Sequence, residues 1–579
     1  MLDTQIQKIH ESFVHALNQL GAPADTPINL ERPRQASNGD LACTVALQCA
    51  KSLKKNPREI ATQIVSFLEK DPEFKAIVSQ VSIAGPGFIN MTYSNDSKQS
   101  VVKAILADPE KFGHSEDHKG ESVIIEYVSA NPTGPLHLGH ARQGALGDVL
   151  ANIFATQGWN VTREFYYNDA GVQIHKLAIS VQARAKELLG ENVQFPEDGY
   201  MGSYIIDIAK DYLEKKSINT FDNKVIESSG DVDDLSLIRR YAVAYLRNEQ
   251  YSDLTALGVA FDNYYLESSL YSDGLVDRAV QAIKDAGKTY EKDGALFFKS
   301  TDYGDEKDRV MRKTDGGYTY FVPDVAYHLT KFERGFTKAI DIQGTDHFGT
   351  VKRVRGGIQA AASTLGLNVP KDFPDYMLHT MLHVLMDGKE VKMSKRAGTY
   401  VTLRDLVDWV GRDAARLFLV NRKCDAEFNF DVDLAKSQSD ENPVYYLQYA
   451  HARICSVLKI AEEKGFSIPT EAEIPSMDLS PLSTPTEENL ILRLSEYPKI
   501  LKFSATELSP HTVANYLKDL SADFHSFYNA CRVLSEDEKE RNARLTLLLA
   551  TRQVLRNGLK ILGVSAPERL ERETAEKES

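Results

Sequence analysis

The chain opens with an amphipathic helical pattern and continues with a strand-like one. One face of the opening helix is apolar at Ile6, Ile9, Phe13, Leu17 and Leu20. This start lacks a basic segment followed by an apolar core, so it indicates a folded helix rather than a signal peptide. A second helical pattern covers 42–70, and VSQVSIAGPGFINMTY reads as strand with a Gly-Pro-Gly turn. Residues 1–117 are therefore predicted to form a small α+β domain.

The next segment has the pattern of a parallel sheet. ESVIIEYVSA is the apolar run of a buried strand, NPTGPLHLGH is a turn, ARQGALGDVLANIFATQ is helical and WNVTREFYY is a second strand. Strand, turn, helix and strand make a βαβ unit with parallel strands. Sheet-like segments return at ALFFKS, YTYFVPDVAY and KAIDIQGTDHFG, and charged, mostly helical residues at 181–260 indicate an insertion. Residues 118–435 are predicted to form this α/β domain.

The last quarter of the chain is predicted to be all-α. Beyond Arg404 the pattern is almost wholly helical, and the segment just before it, MLHVLMDGKEVKMSKRAGTYVTL, fits either a strand or a helix. Asn442-Pro443 has the residues of a helix cap and first turn, and the proline-bearing stretch 466–489 predicts a loop between helices. The resulting domain is expected at 436–579.

Composition narrows the class of protein and its compartment. The 579 residues are 42% hydrophobic and 26% charged with no apolar run long enough to span a membrane, which is typical of a soluble globular protein. The five cysteines form no CxxC pair, which argues against a zinc site or a disulfide scaffold and favours a reducing cytoplasm. Because the net charge is -14, any nucleic acid must bind at a local basic patch.

A histidine pair follows the first predicted strand of the βαβ unit, in His137-Leu138-Gly139-His140. Ligands of open parallel sheets bind at such turns, and the free N–H groups of a helix start favour phosphate. Gly139 allows a nucleotide to approach the backbone, and the two imidazoles lie on one side of the helix. We predict that His137 and His140 hydrogen-bond phosphate oxygens as charge develops at phosphorus.

A second candidate motif lies far downstream, in KMSKR. It offers a hydroxyl, Ser394, among the cations Lys392, Lys395 and Arg396. Lysine is a flexible point charge that suits the β- and γ-phosphates of a triphosphate, and flanking glycines allow such a loop to close. Such a run alone is usually solvated surface, so its interpretation as a phosphate loop depends on the histidine motif.

The two motifs together resemble the signatures of class I aminoacyl-tRNA synthetases. Longer strings, SANPTGPLHLGHARQGALGD, EFYYNDAGVQI, FDNYYLES and NPVYYLQYAHARI, resemble the bacterial arginyl-tRNA synthetases over nearly the whole chain. The resemblance implies a tRNA-contacting domain at 1–117, a Rossmann-like catalytic domain at 118–435 and an anticodon-binding helical bundle at 436–579. The chain departs from the general class I motif at Arg396, where that motif ends in Ser.

The resemblance also implies the reaction and its partners. L-arginine and ATP would form arginyl-adenylate, and arginine would then pass to the 3'-terminal adenosine of tRNA(Arg), with AMP and diphosphate released. A monomer is implied, as is a first step that needs bound tRNA. Mg²⁺ is expected as the counter-ion of ATP, with no metal held by the protein and neither membrane nor DNA as a partner. The residues expected to bind ATP are His137, Gly139, His140, Lys392, Ser394 and Lys395.

An arginine site needs carboxylates that can pair with a planar guanidinium in a shielded pocket. By similarity to the family, the guanidinium would lie between Glu267 and Asp324 with Tyr320 alongside. Asn131 and Glu126 would hold the α-amino or carboxylate end. The turn QGTDHFG adds Asp346 and His347 as contacts to the ribose or the amino acid.

Each of these residues has a plainer interpretation. A Glu in an apolar strand is rarely buried without a partner, which favours function for Glu126, whereas a loop acid such as Glu267 is usually solvated. Tyr320 fits a core aromatic equally well. On local grounds Asp324 would cap the helix DVAYHLTKFE.

Contacts to tRNA are expected from local basic and aromatic residues. The candidates are Lys54 and Lys55 in the first domain, and Tyr446, Tyr449, Arg552 and Arg556 in the last. Tyrosines can stack on unpaired anticodon bases, although helix core is as good an interpretation for them.

Three rival functions remain open on the sequence alone. They are another nucleotidyltransferase, a class I synthetase for a different amino acid, and a non-catalytic tRNA-binding paralogue. The paired carboxylates argue against an apolar amino acid, and the presence of both motifs argues against a paralogue that has lost catalysis.

Overall fold

The computed structural model describes residues 2–33, 35–169, 171–393 and 400–570. Its first part is an antiparallel sheet in the order β1-β2-β4-β3, covered by helices. The apolar face predicted for the first helix is buried at Ile9, Phe13 and Leu17. The elements are α1 (Asp3–Gln19), β1 (Leu30–Glu31), β2 (Leu41–Cys43), α2 (Val45–Leu53), α3 (Pro57–Leu68), α4 (Pro72–Ile77), β3 (Val78–Ala84), β4 (Phe88–Tyr93) and α5 (Asn95–Ala107).

The predicted βαβ unit follows, with parallel strands. It consists of β5 (Ser122–Glu126), α6 (Leu138–Thr156) and β6 (Asn160–Tyr167). Gly147 in the middle of α6 is required by packing, because a Cβ there would lie 2.2 Å from the ring of Tyr127. The helix can therefore lie close against the end of β5 only with glycine at this position.

A helical insertion leaves the sheet after β6 and has its own small core around Tyr212, Ile238 and Tyr241. It contains α7 (Val172–Leu188), α8 (Ser203–Leu213), the hairpin strands β7 (Ile218–Asn219) and β8 (Val225–Ile226), and the long helix α9 (Leu235–Ala256). The prediction of a charged, mostly helical insertion agrees with this arrangement.

The chain then completes the sheet, which runs in the order β14-β13-β5-β6-β9 with every neighbouring pair parallel. The strand β5 lies at its centre, and helices cover the faces. The elements are β9 (Asn263–Leu266), α10 (Glu267–Ser272), α11 (Leu275–Asp285), β10 (Thr289–Lys292), β11 (Ala295–Phe298), β12 (Arg309–Arg312), α12 (Phe321–Glu333), β13 (Lys338–Gly344), α13 (Phe348–Leu365) and β14 (Asp375–His379).

One sheet-like prediction is wrong, because YTYFVPDVAY forms the start of α12 rather than a strand. Its aromatic and β-branched residues fit a strand pattern, but the helix begins at Phe321 and tolerates Pro323 in its first turn. Asp324 therefore lies within the first turn and does not cap the helix, since Tyr320 occupies the cap position. The helix is buried nearly all round, so its sequence lacks an amphipathic period.

The chain ends in a small mixed sheet and a helical bundle. MLHVLMDGKEV, which fitted either a strand or a helix, is the hairpin β15–β16, and Asn442 caps α17 as predicted. Among the described residues, no helix combines the length and apolar character needed to cross a membrane. The elements are β15 (Leu382–Met386), β16 (Lys389–Val391), α14 (Leu403–Val410), α15 (Arg412–Val420), β17 (Phe428–Asp431), α16 (Val432–Lys436), α17 (Pro443–Glu463), α18 (Pro485–Ser495), α19 (Tyr497–Thr506), α20 (His511–Ala530) and α21 (Glu538–Leu562).

The first domain packs on the helical bundle, with α5 against α18 and α21. The ammonium of Lys98 on α5, with a side chain only 5% exposed, lies 3.3 Å from Asp40 and 3.2 Å from Glu488 on α18. The first domain and the helical bundle are thus joined directly.

Candidate active site at the carboxyl edge of the sheet

The candidate site lies where the parallel strands end. The segments after β5, β9 and β13 carry most of the predicted site residues. The strand order changes direction at β5, which lies between β6 and β13. Side chains at this edge border the crevice in which doubly wound sheets bind ligands.

His137 and His140 stack on each other at the start of α6, with ring centroids 3.7 Å apart. Nδ1 of His137 accepts hydrogen bonds from the backbone of Gly139 and His140, and Nδ1 of His140 accepts one from the backbone of His137. A neutral imidazole that accepts at Nδ1 carries its proton on Nε2. Burial lowers the pKa of both rings, that of His140 well below its usual range. The pair thus offers neutral N–H donors rather than two cations.

Gly139 is fixed by this histidine pair. A Cβ at position 139 would lie 2.8 Å from Cε1 of His137 and 3.4 Å from the sulfur of Met381. Any larger residue would therefore displace the His137 ring. The sequence predicts that Gly139 allows close approach of a nucleotide. The contact with the His137 ring is a second reason for glycine at this position.

A third histidine, His379, was missed by the sequence analysis. It ends β14 and is buried, and burial lowers its pKa to about 4. Within the described part of the chain its Nε2 atom has no hydrogen-bond partner. Only its place at the end of an apolar strand, beside other strand ends, could have drawn attention to it.

The second motif is only partly described. Lys392 follows β16, with its side chain 77% exposed and its ammonium 3.7 Å from Glu390. Ser394, Lys395 and Arg396 lie outside the described residues. After the motif, the Tyr400 hydroxyl donates a hydrogen bond to the carbonyl of Pro135, and the Leu403 N–H donates one to the carbonyl of Leu136. The downstream flank of the motif is therefore bound to the turn that precedes His137.

Two carboxylates, Glu267 and Asp324, face a common space lined by tyrosines. The hydroxyl of Tyr166 donates to Glu267 at 3.0 Å. Burial and, to a smaller extent, the neighbouring acids Glu126, Asp341 and Glu267 raise the pKa of Asp324 to about 7, against the opposing effect of His328. Across the described ranges, no lysine or arginine is among the groups that act most strongly on this carboxylate. This is the environment of a carboxylate that awaits a cationic partner.

Glu126 has a partner inside the protein. The ammonium of Lys331, which is fully buried, donates to Glu126 at 2.6 Å and to Asp341 at 2.8 Å. His328 lies 2.5 Å from Asp341 through Nε2 and pairs with the carbonyl of Asp324 through Nδ1. The structure thus places Glu126 in a buried network behind the pocket.

The same network explains a group with metal-like spacing. In the described ranges, Glu126, His328 and Asp341 bring one ligand atom each within 4.8 Å of the others. The Lys331 ammonium contacts all three, including His328 at 3.4 Å. The positive charge among these groups is therefore that of lysine, and the group does not fit a resident metal ion.

The remaining predicted pocket residues are more open. Tyr320 is 84% exposed at the start of α12. Asp346 and His347 are exposed after β13, with 3.5 Å between the carboxylate and the imidazole. The Asn131 side chain donates to Gln173 at the start of α7. All four lie on strand-end turns or helix starts of this edge, around the half-buried acids.

Comparison with known proteins places this architecture in a family. The model for the catalytic domain of class I (R) tRNA synthetases matches residues 101–432, and the model for the N-terminal domain of arginyl tRNA synthetase matches residues 7–93. The chain belongs to the arginyl-tRNA synthetase family. A DALR anticodon binding domain matches residues 447–570. The resemblance seen in the sequence is confirmed.

Relatives within this family match along nearly their whole length. The arginine–tRNA ligase of Paraburkholderia phymatum is 56% identical over 570 residues, covering 95% of this chain and 94% of the relative. That of Herminiimonas arsenicoxydans is 55% identical over 586 residues, covering 98% and 100%. The solved Thermus thermophilus arginyl-tRNA synthetase has a TM-score of 0.72 at 21% identity, covering 97% and 100%. The predicted fold class is confirmed: a parallel-sheet α/β domain with an insertion, flanked by an α+β domain and an all-α domain.

Several predicted tRNA residues lie on α17 and on the neighbouring helix α21 of the helical bundle. Tyr446 and Tyr449 are half-buried with ring centroids 5.4 and 5.9 Å from His525, whereas Tyr445 is core. Arg552 and Arg556 on α21 are half-buried and both act electrostatically on His451 of α17. In the first domain, Lys54 and Lys55 follow α2 and are exposed. Residue-level roles in tRNA binding stay predictions.

Proposed function

We propose that the chain activates L-arginine with ATP and transfers it to the 3'-terminal adenosine of tRNA(Arg). The family's curated relatives are ATP-dependent ligases of this kind. The observation that carries the proposal is the Asp324 carboxylate beside Glu267, without a lysine or arginine among its strongest electrostatic partners, at the sheet edge that also holds His137 and His140. A guanidinium paired with these two half-buried carboxylates would supply the positive charge that they need.

In the first step, a carboxylate oxygen of arginine attacks the α-phosphorus of ATP. The new P–O bond forms as the bond to the β-phosphate oxygen breaks, and diphosphate leaves. His137 and His140 donate Nε2–H bonds to the α-phosphate, where negative charge grows. Because both rings are neutral, they contribute aligned dipoles, and alignment supplies much of the acceleration.

The departing diphosphate requires cations, which the histidines do not provide. We assign this role to Lys392 and Lys395, with Ser394 as a hydrogen-bond donor, and to the Mg²⁺ that accompanies ATP. Lys392 is exposed, and its ammonium lies 3.7 Å from Glu390, so the side chain is available to a phosphate. The assignment of Ser394 and Lys395 rests on the motif alone.

The α-amino and carboxylate end of arginine would lie near Asn131, and the guanidinium near Glu267 and Asp324. Tyr320 would cover the aliphatic part of the substrate, and its exposure leaves it room to move onto a ligand. Asp346 and His347 would contact the ribose of ATP or the amino acid. Glu126 would act from behind, through Lys331 and Asp341.

In the second step, the 2'-hydroxyl of the terminal adenosine attacks the carbonyl carbon of the adenylate. The ester bond forms, AMP leaves and the hydroxyl proton is lost to the leaving phosphate or to solvent. We propose that residues 436–579 bind the anticodon arm, with Tyr446 and Tyr449 on α17 and Arg552 and Arg556 on α21 as the contact residues. Residues 1–117, with Lys54 and Lys55, would contact another part of the tRNA.

The buried acids also account for the expected selectivity. A pocket built on carboxylates rejects neutral analogues strongly, because such ligands would leave buried charges unpaired. An editing domain is therefore unnecessary. We further propose that the protein acts as a monomer with tRNA as its nucleic-acid partner. A reducing cytoplasm suits its cysteines, which are free.

The test is aminoacylation with ATP, total tRNA and each of the twenty amino acids in turn. It is paired with pyrophosphate exchange in the presence and absence of tRNA. Charging by arginine alone is expected, with exchange that depends on tRNA. Charging of another amino acid would overturn the pocket assignment, and no charging at all would favour a tRNA-binding paralogue.

A further inference from the structure

The turn that leads to the histidine motif is held by side chains from outside the sheet. The carbonyls of Asn131 and Gly134 both accept hydrogen bonds from Nε2 of Gln250, each at 3.0 Å. The carbonyl of Thr133, between them, accepts a bond of 2.8 Å from the Tyr204 hydroxyl. Gln250 lies on α9 and Tyr204 on α8, so the insertion holds this turn.

Gln250 is fully committed to this contact. It is only 2% exposed, both N–H bonds of its amide are used, and its oxygen accepts from the Tyr167 hydroxyl at 3.0 Å. The amide orientation is thereby fixed, since Tyr167 donates to the oxygen and the carbonyls can only accept. A buried glutamine with these partners determines the spacing between α9 and the turn.

One helical turn further along α9, Asp253 makes a second contact. It is 1% exposed, and its carboxylate accepts a bond of 2.9 Å from Nε of Arg404. Arg404 is the second residue of α14, which begins just after the KMSKR segment. The neighbouring Ser252 accepts a further bond from Arg404. Because residues i and i+3 share a helix face, Gln250 and Asp253 act from the same side of α9.

The two contacts meet on the catalytic edge. Thr402, the cap of α14, forms an isolated antiparallel bridge with His137, and Leu403 N–H donates to the carbonyl of Leu136 at 2.8 Å. The flanks of both motifs therefore touch each other and are each tied to α9. A rigid helix that holds both flanks fixes the distance between them.

We propose that Gln250 and Asp253 are positioning residues for adenylate formation, which hold the histidine motif and the downstream flank of KMSKR in register. The proposal rests on the proposed function and adds a role for the insertion to it. They act through the backbone of 131–136 and through Arg404. The proposed guanidinium site at Glu267 and Asp324 lies outside their contacts, whereas Gln250 holds the backbone of Asn131, which we place at the other end of arginine.

The variants Gln250→Ala and Asp253→Asn test this role in pyrophosphate exchange with the full chain, tRNA and arginine. Displacing catalytic groups by about 1 Å costs on the order of 100-fold. We expect kcat to fall by about 10-fold to 100-fold in each, with the KM for arginine within about twofold of wild type in Asp253→Asn, whose contacts do not include Asn131. The double variant should lose less than the product of the single losses, because the two residues serve one arrangement.

A matched control lies on the same helix. Asn248 also makes two hydrogen bonds to backbone, accepting from Phe221 N–H and donating to the carbonyl of Asn219, but both partners belong to the insertion. Asn248→Ala should keep kcat. Tyr167→Phe, which removes only the hydroxyl that orients Gln250, replaces Gln250→Ala if that variant does not fold. Arg404→Lys should retain more kcat than Arg404→Met.

Hydrogen exchange supplies a readout that is independent of activity. Gln250→Ala should speed amide exchange in 129–140, and Asp253→Asn in 400–410, while Asn248→Ala should change neither. A wild-type protein that does not use arginine would refute the proposed function, and these exchange rates would still decide the positioning role. If folded Gln250→Ala kept both its kcat and its amide exchange rates, the inference would be overturned. It would also be overturned if Gln250→Ala and Asn248→Ala lost kcat to the same extent.

Discussion

Asp324 shows how a single residue combines a functional gain with a structural cost. Its carboxylate is surrounded by other acids and by tyrosines, and burial raises its pKa to about 7. Within the described residues, His328 offsets part of this cost, and no lysine or arginine is among the groups that act most strongly on Asp324. The ionised carboxylate is destabilised in the empty protein and stabilised when a guanidinium binds. A ligand without a positive charge would leave it unpaired, so the site selects for arginine.

Replacing Asp324 by Asn is expected to weaken arginine use and to stabilise the empty protein. The loss of a charged partner for the guanidinium should raise the KM for arginine by at least about 30-fold, which corresponds to ~2 kcal/mol. The thermal midpoint should rise, since a buried charge is removed. Glu333→Gln is the control, because that acid ends the same helix and pairs with Arg278 at the surface. An unchanged KM for arginine would exclude Asp324 from the pocket.

The same residue predicts a pH dependence. Below pH 7 the Asp324 carboxyl is protonated in the empty protein, so binding a guanidinium must release a proton. The KM for arginine should therefore fall about 10-fold per pH unit as pH rises toward 7, and level off above it. Initial rates between pH 5.5 and 8.5 measure this, with Asp324→Asn as the variant that should lose the slope. A slope that persists in the variant would assign it to another group.

At the scale of elements, apolar patterning predicted the strands and the first helix well. The strands at 122–126 and 338–344 are buried on both sides, which is the environment that a largely apolar run predicts. Apolar patterning gave the wrong element at the start of α12. Nearly every residue of this helix is buried, so no solvated polar face marks it as a helix. The histidine pair was predictable because it is local in sequence.

The partner of Glu126 was not predictable from the sequence. Lys331 lies 205 positions later, and its meeting with Glu126 depends on the packing of α12 across β5 and β13. The sequence did predict that this glutamate would need a partner, but not whether the partner would be substrate or protein. Ion pairs between residues this far apart in sequence depend on tertiary packing, so they cannot be predicted from one sequence.

Lys331 gives a prediction at this scale, because it joins β5, α12 and β13. Burial disfavours its charge, but Asp341 and Glu126 outweigh that effect and raise the pKa of Lys331. Lys331→Met should therefore lower the free energy of unfolding by about 3–5 kcal/mol at pH 7, since two buried acids lose their cation. The unpaired acids would then have raised pKa values in the folded state, so the loss should shrink as pH falls from 8 to 5.

Denaturation of Lys331→Met at several pH values checks this, with Glu126→Gln/Lys331→Met as the paired control. The double variant should recover part of the lost stability, because it removes one stranded carboxylate together with the ammonium. If the double variant were less stable than Lys331→Met at pH 7, the charge argument would be wrong and side-chain packing would explain the loss.

The whole molecule is joined at one buried arginine, Arg416 on α15. Its guanidinium donates to the carbonyl of Leu562 at the end of α21, to those of Leu257 and Gly258 after α9, and to Asp148 on α6. One planar group thus connects the helical bundle, the insertion and the helix that begins with the histidine motif. The positioning contacts proposed for α9 lie on the same helix whose end Arg416 holds.

Arg416→Met is expected to separate the unfolding of these parts. The substitution leaves three buried carbonyls and Asp148 without their donor, at a cost of ~1–3 kcal/mol for each unsatisfied group. Since the lost bonds join domains rather than complete one, the helical bundle should melt at a lower temperature than the sheet domain in calorimetry. Arg412→Met makes the same replacement at the exposed start of α15 and should leave the calorimetric trace unchanged. A calorimetric trace for Arg416→Met that shifts as a whole without broadening would contradict this. It would mean that Arg416 stabilises the sheet domain alone and that other contacts, such as those of α5, couple the bundle to the sheet domain.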